Sequence, residues 1–333
     1  MTALTLLPPR EQDWLIGHET AERTLMSAAR TGRLHHAWLI TGPVGIGKAT
    51  LAFRFARWLL SGPERRAGDD LFVDRADRVF RRVAAGSHSD LITVARSFDE
   101  KKQRFRGEIV VEDVRPIGDL LRRTAAEGGW RVVIIDGVEF LNRNASNALL
   151  KLLEEPPPHT VLLLVCASPG RLLPTIRSRC RALRLDVLDD ASMMKVLGRT
   201  LPDREHADRE VLASLAHGSP GQALVLASEG GIALDELVRE ALASRTSGSR
   251  AYQMVDAVNR QEGGFATFLT LLGDAISREV RDAARGNAAS DRASDNDISV
   301  WQQIRHVQDE TERFNLDKRQ ALLSSLDLLR SLS

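Results

Sequence analysis

The stretch from Arg131 to Cys180 constrains the fold more than any other part of the chain. Val132, Val133, Ile134 and Ile135 form a continuous apolar run, as a strand covered on both faces of a parallel sheet requires. The run ends in Asp136, a carboxylate at the carboxyl end of the predicted strand, where open α/β sheets hold their ligands. Asn144 to Glu155 then places Ala148, Leu149, Leu152 and Leu153 at helical spacing, and Pro156 to Pro158 end that helix. Val161 to Cys166 is a second fully apolar strand, and the segment from Leu172 leads to Arg179 beside Cys180. Two buried strands joined through a helix make a βαβ unit, so the fold class is α/β.

A strand, a Gly-rich turn and a helix recur upstream. Ala37 to Thr41 reads as a short apolar strand, followed at once by GPVGIGKAT and a helix through Ala52, Phe55, Ala56 and Leu59. Gly42-x-x-x-x-Gly47-Lys48, with Gly45 inside it, matches the phosphate-binding loop. Its backbone N–H groups can cradle phosphates at a helix N-terminus, and Lys48 can reach the β- and γ-phosphates. The next position should carry a Ser or Thr hydroxyl for Mg²⁺. Here it is Ala49, and Thr50 comes one step late, about 100° round the helix. Asp136, in the metal-site position, is followed by Gly137, where active ATPases of this kind place a water-polarising Glu; Glu139 is the nearest carboxylate. ATP or ADP with Mg²⁺ can then bind only at a degenerate site. Hydrolysis, which depends on positioning and metal charge, is expected to be very slow.

Leu15 to Arg33 is expected to form an amphipathic helix with Ala21, Leu25, Met26 and Ala29 inward. Ser61 to Ser89, rich in Arg, Asp and Gly, reads as a surface excursion. Leu91–Val94 and Ile109–Val111 read as strands, and Val114–Ala125 as a helix. Beyond Leu185 strand signals stop. Three short helices are predicted within Asp186–Ala227, then a linker at Ser244–Arg250. A further helix shows Phe265, Phe268, Leu269, Leu272, Ile276 and Val280 on one face. Ala284–Asp297 has almost nothing to bury and reads as a mobile loop, and Val300–Leu332 holds at least two more helices.

A net charge of +1 excludes a global basic surface but not a local Arg stripe, and Arg122, Arg123, Arg131 and Arg143 are the candidates for touching DNA phosphates. Cys166 and Cys180 are the only cysteines, which excludes a disulfide framework and a four-cysteine zinc site. His35 and His36 have no partners at metal spacing, so no metal site and no zinc are expected. There is no apolar run of eighteen residues, and Met1 to Arg10 lacks a signal-peptide pattern. A cytoplasmic protein without a membrane partner is expected.

Leu34-His35-His36-Ala37, GPVGIGKAT, His88-Ser89-Asp90-Leu91 and above all NALLKLLEEPPPHT through RSRC resemble the bacterial clamp-loader branch of the AAA+ ATPases. The likeness is dense from about Ile16 to Leu185 and weaker through Gly218–Leu224 and Phe314–Leu323. It implies a P-loop AAA+ core over 1–186, a three-helix lid over 187–230 and a helical collar over 231–333. In this family's motor subunits, Ser178-Arg179-Cys180 is the motif whose Arg enters a neighbour's ATP site as an arginine finger. A lid Arg in a Gly-Ser-x-Arg pattern senses nucleotide there; in Gly218-Ser219-Pro220-Gly221 that place is held by Gly221. The resemblance implies an ATPase-silent stator that assembles with gamma/tau motor subunits and a delta subunit. Through the assembled ring it would support loading of the sliding clamp on primer-template DNA. DNA polymerase activity would belong to the polymerase III holoenzyme as a complex. The alternative is a hydrolytically active AAA+ DNA motor, either a motor-type clamp-loader subunit or a branch-migration ATPase. It needs Ser or Thr at position 49, a carboxylate at 137 and an Arg near 221.

Overall fold

The computed structural model describes residues 7–62, 68–100, 104–126, 129–244, 248–284 and 295–331. Its sheet contains β1 (Ala37–Thr41), β2 (Leu91–Ala95), β5 (Arg131–Asp136), β6 (Thr160–Cys166) and β7 (Arg181–Arg184) in the order β2-β5-β6-β1-β7. Every pairing is parallel. β3 (Phe98–Asp99) and β4 (Arg104–Phe105) form a separate antiparallel hairpin between β2 and the next helix.

The central strands are apolar throughout because alternate residues feed two different cores. Trp38, Ile40, Val132, Ile134, Leu163 and Val165 point to one face, covered by α1 (Glu19–Arg30), α2 (Lys48–Leu60) and α3 (Arg78–Ala84). Ala37, Leu39, Val133, Ile135, Leu162 and Leu164 point to the other, covered by α4 (Val111–Arg122), α5 (Arg143–Glu154) and α6 (Pro174–Ser178). Asn142 opens α5 by accepting the Ala145 N–H at 2.9 Å, and the prolines from Pro156 keep the chain from continuing it.

The helices that follow are α7 (Asp190–Thr200), α8 (His206–Leu215), α9 (Pro220–Ser228), α10 (Gly231–Ser244), α11 (Ser249–Asn259), α12 (Gly264–Ala284), α13 (Asp295–Phe314) and α14 (Lys318–Leu328). Cα packing divides the chain into two compact units. One runs through Arg199 and takes in Gly218–Gly221; the other comprises Thr200–His217 and the chain from Gln222 onward. The second unit is helical, with Leu234, Val238, Phe268, Leu272, Ile304, Leu322 and Leu329 fully buried. The fold is thus a parallel α/β core followed by all-helical segments. Among the described residues, no helix is long and apolar enough to cross a membrane.

Several local expectations need correction. α1 begins at Glu19 and not at Leu15, because Gly17 turns the chain with φ 83°; Ala28 is buried in the core where Ala29 only packs against it. Ile109–Val111 is not a strand. Ile109 makes one isolated bridge to Leu141, and Val111 already opens α4, where the Asp113 carboxylate accepts the Val110 N–H at 2.9 Å. Nor is Ser61–Ser89 merely superficial: Leu71, Val73, Val79, Phe80 and Val83 enter the core. Buried Arg57 holds that segment by stacking over Phe80 at 4.5 Å and donating to the carbonyls of Arg10, at 2.7 Å, and Gln12. Val280 is only half-buried on α12. The predicted linker lies between α10 and α11, with 245–247 outside the described residues. Of the predicted mobile loop, 285–294 lie outside them, and its two ends are helical.

Candidate functional site

The phosphate loop leaves the carboxyl end of β1 and delivers Lys48 to the first turn of α2. Gly42 has φ 144°, and a Cβ there would lie 2.3 Å from the Leu185 carbonyl oxygen, so only glycine fits the start of this turn. Lys48 is buried. Its ammonium donates to the carbonyls of Gly42 at 2.9 Å and Pro43 at 2.6 Å, within its own loop. Burial lowers its pKa, opposed by the negative charges of Glu139 and then Asp136.

Asp136 closes β5 at the same edge of the sheet. Burial raises its pKa, Lys48 and Arg96 pull it down, and Glu139 pushes it up. Glu139 sits in the short turn Val138–Phe140, almost fully buried. Its Oε1 accepts the Ala167 N–H at 2.7 Å, and its Oε2 has no hydrogen-bond partner among the described residues. Gly42, Gly45, Gly47 and Lys48 thus share one loop, and Asp136 lies close enough for its charge to act on Lys48. Ala49 brings no hydroxyl, and Thr50 follows it one residue further along α2. The position that follows Lys48 is a methyl group, so this donor set lacks the hydroxyl that a phosphate loop uses to hold Mg²⁺.

Three contacts hold the outer side of the loop that the sequence alone does not reveal. His18, buried at the start of α1, places Nε2 2.7 Å from the Ile46 carbonyl. Ser219 Oγ donates to the Val44 carbonyl at 2.7 Å, and the Gly221 N–H donates to the Gly45 carbonyl at 2.8 Å. A Cβ on Gly221 would stand 2.7 Å from Gly45 Cα. The motif Gly218–Gly221 is visible in the sequence; its pairing with the loop, 175 residues away, is not.

Arg179 lies elsewhere. Arg181, two residues on, is in register with Trp38 near the amino end of β1, whereas the loop follows Thr41 at the carboxyl end. Arg179 precedes β7 at its amino end and Lys48 follows β1 at its carboxyl end, so the two lie at opposite ends of adjacent parallel strands. The guanidinium pairs with Glu154, Nη2 to Oε1 at 2.8 Å, and donates from Nη1 to the Thr175 carbonyl at 3.1 Å. Ser178 Oγ donates to the same carbonyl at 3.1 Å. Cys180 is half-buried, and burial pushes its thiol up to about 11; Cys166, inside β6, is pushed up to about 12, chiefly by burial and next by Glu139.

The four candidate DNA-contact arginines separate. Arg122, Arg123 and Arg143 are exposed. Arg131 is buried, with Nη1 donating to the carbonyls of Leu121 and Arg123, each at 2.5 Å, and Nη2 to that of Pro158 at 2.6 Å. It is a structural strut, which corrects its place among the phosphate-contact candidates.

A family model described as DNA polymerase III, delta subunit, matches residues 17–189. DNA polymerase III subunit delta' of Pseudomonas aeruginosa is 39% identical over 195 residues, covering 59% of this chain and 56% of that protein. Subunit tau of Escherichia coli is 30% identical over 275 residues, covering 80% of this chain and 40% of tau. Subunit delta' of Escherichia coli is 32% identical over 256 residues, covering 76% of this chain and 73% of that protein. The matched part thus spans about half the length of the first two relatives. Motif, sheet and family match converge: the chain belongs to the delta-prime family of DNA polymerase III clamp-loader subunits.

Proposed function

We propose that this chain is the hydrolytically silent stator of a clamp-loader ring. It assembles with motor subunits of the gamma/tau type and a delta subunit, presents Arg179 to a neighbour's ATP site, and supports loading of a sliding clamp on primed DNA. The observation that carries the silent reading is the contact of Gly221 with Gly45. Where a nucleotide-sensing Arg would stand, a glycine lies directly on the phosphate loop. Ala49 and Gly137 remove the metal hydroxyl and the water-polarising carboxylate from the same site. ATP or ADP bound there would have a structural role.

The finger reading rests on the separation of Arg179 and Lys48 at opposite ends of the paired strands β7 and β1. An arginine at the far strand end from its own loop is not placed to act on it, and a solvent-reachable guanidinium suits action in trans. One observation favours the alternative of an active motor: Glu139 is buried beside Lys48 with one oxygen unpartnered among the described residues. Its other oxygen is anchored on Ala167, so it would have to leave that bond to polarise water.

The deciding experiment is ATP turnover by the purified chain with Mg²⁺ and primed DNA, beside a Lys48→Ala control. Equal, near-zero rates are expected. Turnover present in the chain and lost only in the control would overturn the silent reading.

A further inference from the structure

The β3–β4 hairpin follows β2 at the carboxyl edge of the sheet. Phe98 and Phe105 are directly opposite one another in its register, their rings edge to face with centroids 5.3 Å apart. Such a pair stabilises a two-stranded ribbon that is marginal by itself. Stapling alone, however, would cover the rings, and here Phe98 remains 47% and Phe105 58% exposed. Arg96, at the base of the hairpin, is fixed with its guanidinium 3.8 Å from the Phe140 ring centroid and 5.7 Å from that of Phe105. Arg106, exposed on the other side, is tied by its N–H to the Ser97 carbonyl at 2.9 Å. From Arg96 to Arg106 the sequence carries five cationic side chains against two acidic ones, in a chain whose net charge is only +1.

We infer that Phe98 and Phe105 form a stacking platform for single-stranded nucleic acid, with Arg96 and Arg106 receiving its phosphates. Exposed aromatic faces interleaved with arginines match the two requirements of sequence-tolerant strand binding: a surface for bases and positive charge along the backbone. An apolar protein partner would leave the local surplus of positive charge without a use. The platform goes beyond the stator reading and rests neither on Arg179 nor on the silent loop.

The test is fluorescence anisotropy of the full chain with a labelled oligothymidylate about 16 nucleotides long, over a salt series. Replacing both rings (Phe98→Ala with Phe105→Ala) should weaken binding by about tenfold or more while leaving the salt dependence in place. Arg106→Glu should instead flatten the salt dependence by about one to two counterions. Phe72→Ala removes a comparably exposed ring, 52% accessible, outside the hairpin, and should change nothing. No binding by the unmodified chain, unchanged affinity in the double variant, or an equal loss in Phe72→Ala would each overturn the platform. So would displacement of the oligonucleotide by polyglutamate with undiminished binding in the double variant, which would point to an acidic protein instead. Because the isolated chain is titrated, any of these failures leaves the ATP-turnover and finger experiments to stand or fall on their own results.

Discussion

Arg179 and Glu154 form a 2.8 Å ion pair in which each member closes a helix: Glu154 is the last residue of α5, and Arg179 caps α6. A carboxylate in the final turn of a helix opposes the macrodipole, and the guanidinium offsets it. The pair holds Arg179 at the amino end of β7, with its other amino group on the Thr175 carbonyl. Both members keep a third or more of their surface in water, so the pair orients the arginine without contributing much stability.

In a reconstituted ring, Arg179→Ala is expected to lower turnover at the neighbouring site on the order of 10³-fold, with assembly intact. Arg179→Lys should not restore it, because an ammonium lacks the planar fork. Glu154→Gln should shift the unfolding free energy of the free chain by less than about 1 kcal/mol. DNA- and clamp-stimulated ATPase assays, with size-exclusion chromatography for assembly, check this. Full turnover with Arg179→Ala would remove the finger.

Gly221→Ala places a methyl group 2.7 Å from Gly45 Cα and 2.9 Å from its carbonyl oxygen, and neither backbone atom can swing aside. The expected cost is about 1–3 kcal/mol, the range for overpacking a tight site, with no gain of ATPase. Thermal or urea unfolding measures it. An unaltered midpoint would mean that the loop and Gly218–Gly221 separate freely in solution.

Arg131→Ala leaves the carbonyls of Leu121, Arg123 and Pro158 without their shared donor. A loss of roughly 3 kcal/mol is expected from several buried acceptors left unpaired. Urea denaturation reads this directly. A variant of normal stability but impaired DNA binding would return Arg131 to the list of phosphate contacts.

Cys180 and Cys166 titrate higher in the fold than the ordinary value of 9.0, at about 11 and about 12, because burial disfavours the thiolate. A raised folded pKa contributes stability that is fully present below pH 9 and is lost as pH rises through the folded values. The stability advantage of the unmodified chain over Cys180→Ala should therefore shrink between pH 8 and pH 11. At pH 8, Cys180 should also carry about a hundredfold less thiolate than a free cysteine and react slowly with a disulfide reagent. Fast labelling of Cys180 in the native chain would contradict its burial.

The sheet was legible in the sequence because burial on both faces forces long apolar runs. Val132–Ile135 and Val161–Cys166 can hardly be anything but central strands, and Gly42, Gly47 and Lys48 carry their spacing in the chain itself. Leu71 to Val83 was not legible. Its core residues are scattered among Arg and Asp, and only buried Arg57, which stacks on Phe80 and binds carbonyls near the N-terminus, makes that segment interior. Arg131 looked like its exposed neighbours Arg122 and Arg123 for the same reason: a formal charge says nothing about which carbonyls surround it. The sequence by itself determined the α/β core, the loop and what that loop lacks, since these depend on residue type and local spacing. The tertiary structure decided that Gly221 lies on Gly45 and that Arg179 stands at the opposite strand end from Lys48, on a glutamate. Those relationships arise from strand order and from contacts between residues far apart in the chain, which no local pattern encodes.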